Sequence, residues 1–176
     1  MPPAQPPSAS ALHAALDFTG KTVLVTGGGV GIGRAIAEAF AGAGAQLVIA
    51  EIDAANADAV QSAIPSAQVI RCDVRDRATP RLLAERIAAG PGKLDVLVNN
   101  VGHFVHARAF ADLAEGEIDE ILDTNLGHVL RMTSAMIPLL RTAGRGSSII
   151  NITSIEAHRG IPGCTVYAAG KWGMTG

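Results

Sequence analysis

The chain has 176 residues, a length that suits a single hydrophobic core and therefore a single domain. Its formal net charge of −2 at pH 7 excludes a general electrostatic attraction to nucleic acid or to an anionic membrane, and no apolar run approaches the ~20 residues that span a bilayer. Because 48% of the residues are hydrophobic but only 3% are aromatic, small and branched aliphatic side chains dominate, and this favours helices packed closely on a parallel sheet.

Residues 1–16 are rich in Pro, Ala and Ser, and they lack the basic start and apolar core of a signal peptide. We predict a disordered tail there, followed by one domain over residues 17–176. The two cysteines, Cys72 and Cys164, have neither metal-ligand spacing nor a disulfide framework around them. Two reduced thiols in a cytoplasmic protein are therefore expected.

Hydrophobic patterning predicts strands and helices in alternation along the rest of the chain. Short apolar runs bounded by turn residues are typical of strands buried on both faces, and apolar offsets of three, four and seven residues are typical of helices that face a core. In chain order we predict a strand at 22–25, a helix at 32–43, a strand at 46–50, a helix at 54–64, a strand at 67–72, a helix at 75–89, a strand at 94–98, a long helix at 117–140 and a strand at 148–152. This alternation predicts an α/β fold of three layers, α/β/α, around a mainly parallel twisted sheet.

A glycine-rich stretch, T-G-G-G-V-G-I-G over residues 26–33, joins the first predicted strand to the first helix. Glycines let the backbone approach a pyrophosphate closely, and a helix N-terminus offers free amides and the positive end of its dipole. Glycines also form ordinary turns, but a buried strand before them and a patterned helix after them favour a phosphate cradle. The spacing T-G-x-x-x-G-I-G resembles that of the short-chain dehydrogenase/reductase family, which has a Rossmann-like fold.

Two carboxylates, Glu51 and Asp53, lie at the end of the second predicted strand. Glu51 follows Gly31 by 20 residues, where a carboxylate accepts hydrogen bonds from an adenosine ribose in dinucleotide-binding folds. A carboxylate there repels a 2′-phosphate, and Val30 is not a basic residue that could attract one. We therefore predict NAD as the cofactor rather than NADP. The alternative is an exposed acidic strand end that binds nothing.

Three further segments carry the resemblance to short-chain dehydrogenases. Cys72-Asp73-Val74 is similar to the family's D-V pair, and residues 99–102, N-N-V-G, resemble its N-N-A-G signature with Val in place of Ala. Ser154 follows a predicted buried strand, Tyr167 comes 13 residues later and Lys171 another 4 residues later. Tyr and Lys at this spacing share one face of a helix.

Asn125 lies on an otherwise apolar helix stripe, so the pattern buries an amide that needs hydrogen-bond partners. It is either a satisfied core asparagine or, as the resemblance implies, the residue that holds a water connecting Lys171 to solvent. The resemblance further implies that the cofactor contacts Gly27, Gly31, Ile32, Gly33, Glu51, Asp73, Val74, Asn100, Gly102, Tyr167 and Lys171. It implies that the catalytic residues are Asn125, Ser154, Tyr167 and Lys171.

The implied reaction interconverts a secondary alcohol and a ketone, which are small-molecule substrates, by hydride transfer. A phenol ordinarily titrates near pH ~10, so it is a poor base at neutral pH. An ammonium about 4 Å away stabilises a phenolate by on the order of 4 kcal/mol at an effective dielectric of ~20. Lys171 is therefore expected to activate Tyr167 as the acid/base, with Ser154 hydrogen-bonding the substrate oxygen.

Histidines do not point to a metal, because they lack neighbouring ligands at metal-site spacing, and we predict no metal site. His103 and His106 follow the N-N-V-G turn, so they line a substrate mouth or simply lie in a loop. The resemblance also implies that the last strands of the family's sheet are missing from this chain. Two hypotheses follow: an active NAD-dependent dehydrogenase, or a truncated and inactive nucleotide-binding remnant. The resemblance implies a homo-oligomer for a full-length form, an expectation that does not extend to the 176-residue chain.

Overall fold

The computed structural model describes residues 16–176; the predicted tail therefore lies outside the described residues, except for Leu16 in an exposed turn. The strands are β1 Thr22–Thr26, β2 Gln46–Glu51, β3 Gln68–Arg71, β4 Val96–Asn99 and β5 Ser148–Asn151. The helices are α1 Gly31–Gly42, α2 Ala54–Ala63, α3 Thr79–Ala89, α4 Glu115–Leu122, α5 His128–Ala143 and α6 Thr165–Gly173. Two 3₁₀ turns, Phe110–Asp112 and Ile155–Ala157, and one π-helical turn, Asp123–Gly127, complete the described elements.

The five strands form one sheet in the order β3-β2-β1-β4-β5, and every neighbouring pair is parallel. The order reverses at β1, because the chain builds outward to β3 and then returns to place β4 on the other side of β1. In parallel sheets of this kind the reversal opens a crevice at the carboxyl ends of the strands, where ligands bind. The predicted α/β fold with a parallel sheet is confirmed.

Side chains that alternate along β1 enter two separate cores. Leu24 packs in a cluster with residues of α3 and α5, whereas Val23 and Val25 pack with residues of α1 and α2 on the opposite face. The period of two in a strand sends successive side chains to opposite faces, so a strand whose central residues 23–25 are all apolar requires helices on both sides. The three layers follow directly from this run of apolar residues.

Two predicted helices have different bounds in the structure. The helix predicted at 75–89 begins only at Thr79, because the carboxylates of Asp73 and Asp76 accept the backbone N–H groups of Arg75 and Ala78 and hold residues 73–78 in turns. The helix predicted at 117–140 is interrupted by the π-helical turn Asp123–Gly127. Such turns occur frequently at functional sites, and this one contains Asn125.

The prediction of a buried fifth strand is wrong. All four residues of β5 are exposed, and Ile149 and Ile150 retain 42% and 39% of their accessible surface. The reason is that β5 is the edge of the described sheet and pairs only with β4. Across residues 16–176, no helix is both long and apolar enough to cross a membrane.

Candidate active site

A cleft of about 410 Å³ opens at the carboxyl ends of β1, β4 and β5. Its walls bring together three segments that are remote in the sequence: the glycine-rich turn, the turn after β4, and the residues that follow β5. The lining residues are Gly27, Val30, Ile32, Gly33, Asn100, Val101, Gly102, Ile152, Thr153, Ser154, Tyr167 and Lys171. Ser154 and Tyr167 therefore face the same space.

A second cavity of about 140 Å³ shares Gly27 and Val101 with this cleft and extends it past the end of β2. Its walls contain three more of the residues predicted to bind a cofactor: Glu51, Asp73 and Val74. Of the predicted site residues, only Gly31 and Asn125 line neither cavity. The two adjoining cavities thus form one elongated groove along the edge of the sheet.

The glycine-rich turn has the geometry of a phosphate cradle. Gly27 and Gly31 have φ angles of +63° and +58°, which residues with a side chain rarely adopt. A Cβ on Gly33 would lie 2.1 Å from the carbonyl oxygen of Gly27, so the helix can approach the turn only without a side chain. The N-cap, Val30, makes no side-chain hydrogen bond, and the first turn of α1 carries no acidic residue. The free amides and the positive end of the helix dipole therefore fit an anionic pyrophosphate.

Asn100 connects this turn to the end of β4. Its Nδ2 donates to the carbonyl oxygens of Thr26 and Gly27 at 3.0 and 3.1 Å. Its backbone N–H also donates to Thr26 Oγ1 at 3.0 Å. These bonds show that Asn100 fixes the glycine-rich turn against the neighbouring strand, a structural role in addition to its position on the cleft wall.

Glu51 is 4% exposed and is anchored by three backbone amides. Its Oε2 accepts from Gly29 N at 2.9 Å, and its Oε1 accepts from Ile52 N and Asp53 N at 2.9 and 3.1 Å. A carboxylate oxygen offers more than one acceptor site, so both oxygens retain capacity for a ribose hydroxyl. Asp53 instead caps α2 by accepting from Asn56 N, so the second carboxylate of this strand end has a structural role.

Asp73 lies in the smaller cavity as one partner of an ion pair with Arg75, at 2.8 Å. The hydrogen bonds from the Arg75 side chain hold the pKa of the Asp73 carboxyl below its ordinary value. Val74, which follows it, is 5% exposed and belongs to the core formed with α3 and α5. The sequence did not reveal the Arg75 partner, although it lies only two positions further along.

Tyr167 and Lys171 lie on one face of α6, as their spacing predicts. The Lys171 Nζ is 5.9 Å from the centroid of the Tyr167 ring, and it donates to the carbonyl oxygen of Ile152 at 3.0 Å. Lys171 is 2% exposed, and this burial lowers the pKa of its ammonium. Phe104, which sequence reasoning missed, stacks on the Tyr167 ring with 4.0 Å between centroids and holds the phenol in place.

Asn125 is fully buried inside the π-helical turn. Its Nδ2 donates to the carbonyl oxygens of Ile121 and His103 at 2.9 and 3.1 Å, whereas its Oδ1 has no hydrogen-bond partner among residues 16–176. A Cβ on Gly102 would meet this Oδ1 at 3.0 Å and the Lys171 Nζ at 2.5 Å. The orphaned oxygen and the ammonium therefore both lie close to the point where a Cβ on Gly102 would stand, and the oxygen requires a donor.

Ser154 begins the 3₁₀ turn that leads toward α6, and its side chain is already hydrogen-bonded. Its Oγ lies 2.5 Å from Oε2 of Glu156, a buried carboxylate that the sequence analysis did not single out. The only sequence clue was an acidic residue two positions after the serine.

The two histidines that follow the turn after β4 have different positions. His103 lies in the wall of the smaller cavity. His106 is held outside both cavities, with its Nε2 3.0 Å from Glu120 Oε2. Within residues 16–176, His, Cys, Asp and Glu side chains form no group of three or more that could hold a metal ion.

Replacing Lys171 with Met tests the burial of this ammonium by its effect on two quantities, the pH dependence of the free energy of unfolding and the turnover. Because its native-state pKa lies below the ordinary 10.5, the unfolded chain binds more protons between the two values, and the free energy of unfolding of the wild type rises with pH over that interval. We expect Lys171→Met to lack this rise and to lose turnover. Urea unfolding from about pH 7 to about pH 10 measures the difference between the two proteins.

Subtracting the stability profile of Lys171→Met from that of the wild type cancels the contribution of Cys72, which has the opposite sign to that of Lys171. Burial raises the pKa of this thiol from 9.0 to about 11, so Cys72 lowers stability as pH rises over that range in both proteins. Parallel pH profiles for the wild type and Lys171→Met would contradict the assignment of a perturbed ammonium.

Known proteins with similar sequences belong to a family that agrees with the fold and the cleft described above. A family model described as short chain dehydrogenase matches residues 21–176. The chain is 34% identical to the L-fucose dehydrogenase of Bos taurus over 158 residues, covering 90% of this chain and 58% of that protein. It is 35% identical to the galactitol 2-dehydrogenase of Agrobacterium fabrum and 38% identical to the sorbitol dehydrogenase of Cereibacter sphaeroides, covering 86% of this chain and 59% of each relative.

Solved structures agree with the sequence relatives. A short-chain dehydrogenase from Streptomyces avermitilis superposes with a TM-score of 0.81 at 34% identity, over 88% of this chain and 56% of that one. A 7α-hydroxysteroid dehydrogenase complexed with NADH and 7-oxo glycochenodeoxycholic acid gives a TM-score of 0.83 at 32% identity, over 89% of this chain and 62% of that one. The chain thus spans about three fifths of the length of these relatives. On this sequence match and this shared fold, the chain belongs to the short-chain dehydrogenase family.

Proposed function

We propose that this oxidoreductase interconverts a secondary alcohol and a ketone with NAD, using Tyr167 as the acid/base. The observation that carries the proposal is the shared cleft, in which Ser154, Tyr167 and Lys171 line the same space as the glycine-rich turn. A hydroxyl, a phenol and an ammonium converge beside a cradle for a pyrophosphate. A phenol beside an ammonium can transfer a proton to and from a carbinol, and a hydroxyl can hydrogen-bond the substrate oxygen.

In the proposed reaction, Tyr167 removes the hydroxyl proton of the alcohol during oxidation and returns a proton to the ketone oxygen during reduction. NAD held by the glycine-rich turn and Glu51 would supply the hydride chemistry of this reaction. Lys171 stabilises the phenolate through its positive charge, since its Nζ lies 5.9 Å from the ring centroid. Phe104 restricts the ring to one orientation by stacking against it.

Asn125 and Lys171 provide a route by which the proton leaves the site. The Nζ of Lys171 and the orphaned Oδ1 of Asn125 both lie beside Gly102, and a water that bridges them would satisfy the buried oxygen. The π-helical turn between α4 and α5 places the Asn125 side chain in the interior without ending the helical segment. This arrangement favours the role of Asn125 in a proton path over that of a core amide.

The residues around the groove fit NAD. Glu51 is positioned by the amides of Gly29, Ile52 and Asp53, so its carboxylate is held at the end of β2 where an adenosine ribose would lie. A fixed negative charge at this point repels a 2′-phosphate. The relative whose structure holds NADH supports the same choice of cofactor.

Steady-state kinetics with both cofactors test this choice. We expect kcat/KM to be at least tenfold higher with NAD than with NADP, because the 2′-phosphate would be placed against the Glu51 carboxylate and about 1.4 kcal/mol of repulsion corresponds to tenfold. A preference for NADP would contradict the role given to Glu51. The ratio of the two values, measured with one alcohol, needs no knowledge of the physiological substrate.

The names of the relatives suggest which alcohols to test as substrates. Three of them are named for fucose, galactitol and sorbitol, which carry several hydroxyls, and a fourth was solved with an oxo bile acid. We propose a panel of fucose, galactitol, sorbitol and cyclohexanol, a simple secondary alcohol, assayed for NADH formation, with the oxo bile acid, which is a ketone, assayed for NADH consumption. Turnover of at least one supports the proposed reaction, whereas an absence of turnover with every alcohol in a folded chain would contradict it.

A further inference from the structure

Residues 103–108, which follow the turn after β4, contact two of the residues to which the proposed function gives roles. The carbonyl oxygen of His103 accepts from Asn125 Nδ2 at 3.1 Å. The ring of Phe104 stacks on that of Tyr167, with 4.0 Å between centroids. The position of this segment therefore affects both the acid/base and the amide of the proposed proton path.

Backbone hydrogen bonds do not hold this segment. Within the described part of the chain, residues 103–108 belong to no helix or strand and make no backbone–backbone hydrogen bond. Phe104 is 46% exposed, so burial of its own ring fixes it only in part. The order of the segment therefore depends on its side chains, because a segment without contacts keeps its conformational entropy.

His106 attaches the segment to α4. Its Nε2 lies 3.0 Å from Glu120 Oε2 and its Nδ1 lies 3.6 Å from Glu117 Oε1. A carboxylate only accepts hydrogen bonds, so the imidazole Nε2 donates to Glu120. The other oxygen of Glu120 lies 3.5 Å from a guanidinium nitrogen of Arg75, which helps to fix the acceptor in place. Arg108 adds an ion pair with Glu117.

The attachment to α4 lies on both sides of Phe104 in the sequence. Glu117 and Glu120 are three positions apart and share one face of α4. The same helix leads directly into the π-helical turn that contains Asn125. The segment is thus bonded to this helical stretch through the His103 carbonyl before Phe104 and through the His106 ring after it. Two fixed points this close together limit how far Phe104 can move from the Tyr167 ring.

We propose that His106 is a positioning residue, whose hydrogen bond to Glu120 holds Phe104 against Tyr167 and thereby orients the phenol for proton transfer. The inference rests on the proposed role of Tyr167 as the acid/base. His106 lines neither cavity of the groove, so it acts through Phe104 and not by touching substrate or cofactor. Its effect therefore falls on the placement of one ring.

Nuclear magnetic resonance of Tyr167 tests this placement directly. Tyr167 is the single tyrosine of the chain, so labelling with ¹³C-tyrosine gives ring signals from this residue alone. The stacked Phe104 ring shifts those signals through its ring current. We expect His106→Leu, which removes the bond to Glu120, to move the Tyr167 signals toward those of free tyrosine. Phe104→Leu supplies the signal positions for complete loss of stacking.

Two amides at position 106 separate the hydrogen bond from a general loss of packing. Glutamine carries its NH₂ as far along the side chain as the imidazole Nε2, whereas asparagine is one bond shorter. We expect His106→Gln to keep the wild-type signals and His106→Asn to resemble His106→Leu, and this pair decides the matter even if the leucine variant does not fold. Arg81→Leu, which breaks an exposed ion pair with Glu85 on α3, is the matched control and should leave the Tyr167 signals unchanged.

Turnover completes the test. We expect kcat for alcohol oxidation to fall by about tenfold in His106→Asn, since misplacing a reacting group by ~1 Å costs up to ~100-fold, and the Kd for NAD to stay unchanged. Equal Tyr167 signals in the glutamine and asparagine variants overturn the inference, as does an unchanged kcat in His106→Asn. A wild type that oxidises no alcohol contradicts the proposed function, while the ring signals still decide whether His106 holds Phe104 on Tyr167.

Discussion

Tyr167→Phe is expected to lower NAD-linked turnover by on the order of 10²–10⁴-fold, the range typical for the loss of a general acid/base. The substitution removes one hydroxyl and keeps the ring that stacks on Phe104 at 4.0 Å, so the helix and the cleft retain their packing. Cofactor binding should remain within a few-fold of wild type, because the cradle lies on the glycine-rich turn and not on this hydroxyl. Turnover is measured as NADH formation, and affinity as the quenching of protein fluorescence.

Trp172 supplies that fluorescence, since it is the single tryptophan of the chain and lies on α6 beside the site. A cooperative thermal transition equal to that of the wild type shows that the variant is folded. Turnover of Tyr167→Phe within tenfold of the wild type would remove Tyr167 from the mechanism. A loss of turnover with an equal loss of cofactor affinity would instead indicate a binding role.

Gly33→Ala has the second large effect that we expect, and it acts on the cradle. The new Cβ would lie 2.1 Å from the Gly27 carbonyl oxygen and 2.4 Å from Asn100 Nδ2. The first of these is a backbone atom, so α1 or the turn must shift, and Asn100 loses its bonds to the Thr26 and Gly27 carbonyl oxygens. We expect destabilisation of about 1–3 kcal/mol, as for overpacking elsewhere, and a cofactor affinity lowered by at least tenfold.

Gly42→Ala in the same helix is the matched control. A Cβ on Gly42 meets no atom of the described part of the chain within 4 Å, and the residue has no positive φ. Alanine restricts the unfolded chain more than glycine does, so this variant should be more stable than the wild type by about 0.4–1 kcal/mol with cofactor affinity unchanged. Urea unfolding and fluorescence titration measure both variants. If the two alanines behave alike, the close approach of α1 to the turn is not what the glycine provides.

The order of elements could be predicted from the sequence because it depends on local patterning. Runs such as residues 23–25 are apolar at every position, and a strand of that kind is stable only between two layers of helices. The predicted boundaries failed where a nearby side chain bonded to the backbone or where the helix changed its hydrogen-bond period. Asp73 and Asp76 delay α3 by bonding to backbone amides, and a π-helical turn divides the helix predicted at 117–140.

The residues of the candidate site were predicted by their spacing and by their likeness to a family, whereas their partners were not. Phe104 stacks on Tyr167 from 63 positions away, a separation that hydrophobic patterning does not register. Glu156 lies close in sequence to Ser154, but an acidic residue in a loop is usually solvated, and only its burial shows that it binds the serine. The role of Arg75 was not predicted either, because its ion pair with Asp73 depends on the turn between the two residues.

The sequence by itself determined a parallel α/β sheet, the glycines that a helix needs to approach a turn, and the spacing of a phenol and an ammonium on one face of a helix. Each of these features depends on residues that lie close together in the sequence, so local sterics and hydrophobic burial define it. Only the tertiary structure decided that the Ser154 Oγ is hydrogen-bonded to Glu156, that Asn125 keeps an unpaired oxygen beside Lys171, and that β5 forms an exposed edge. Each of these depends on which atoms of separate segments meet in the folded chain and on how little water reaches them, and no local pattern encodes that.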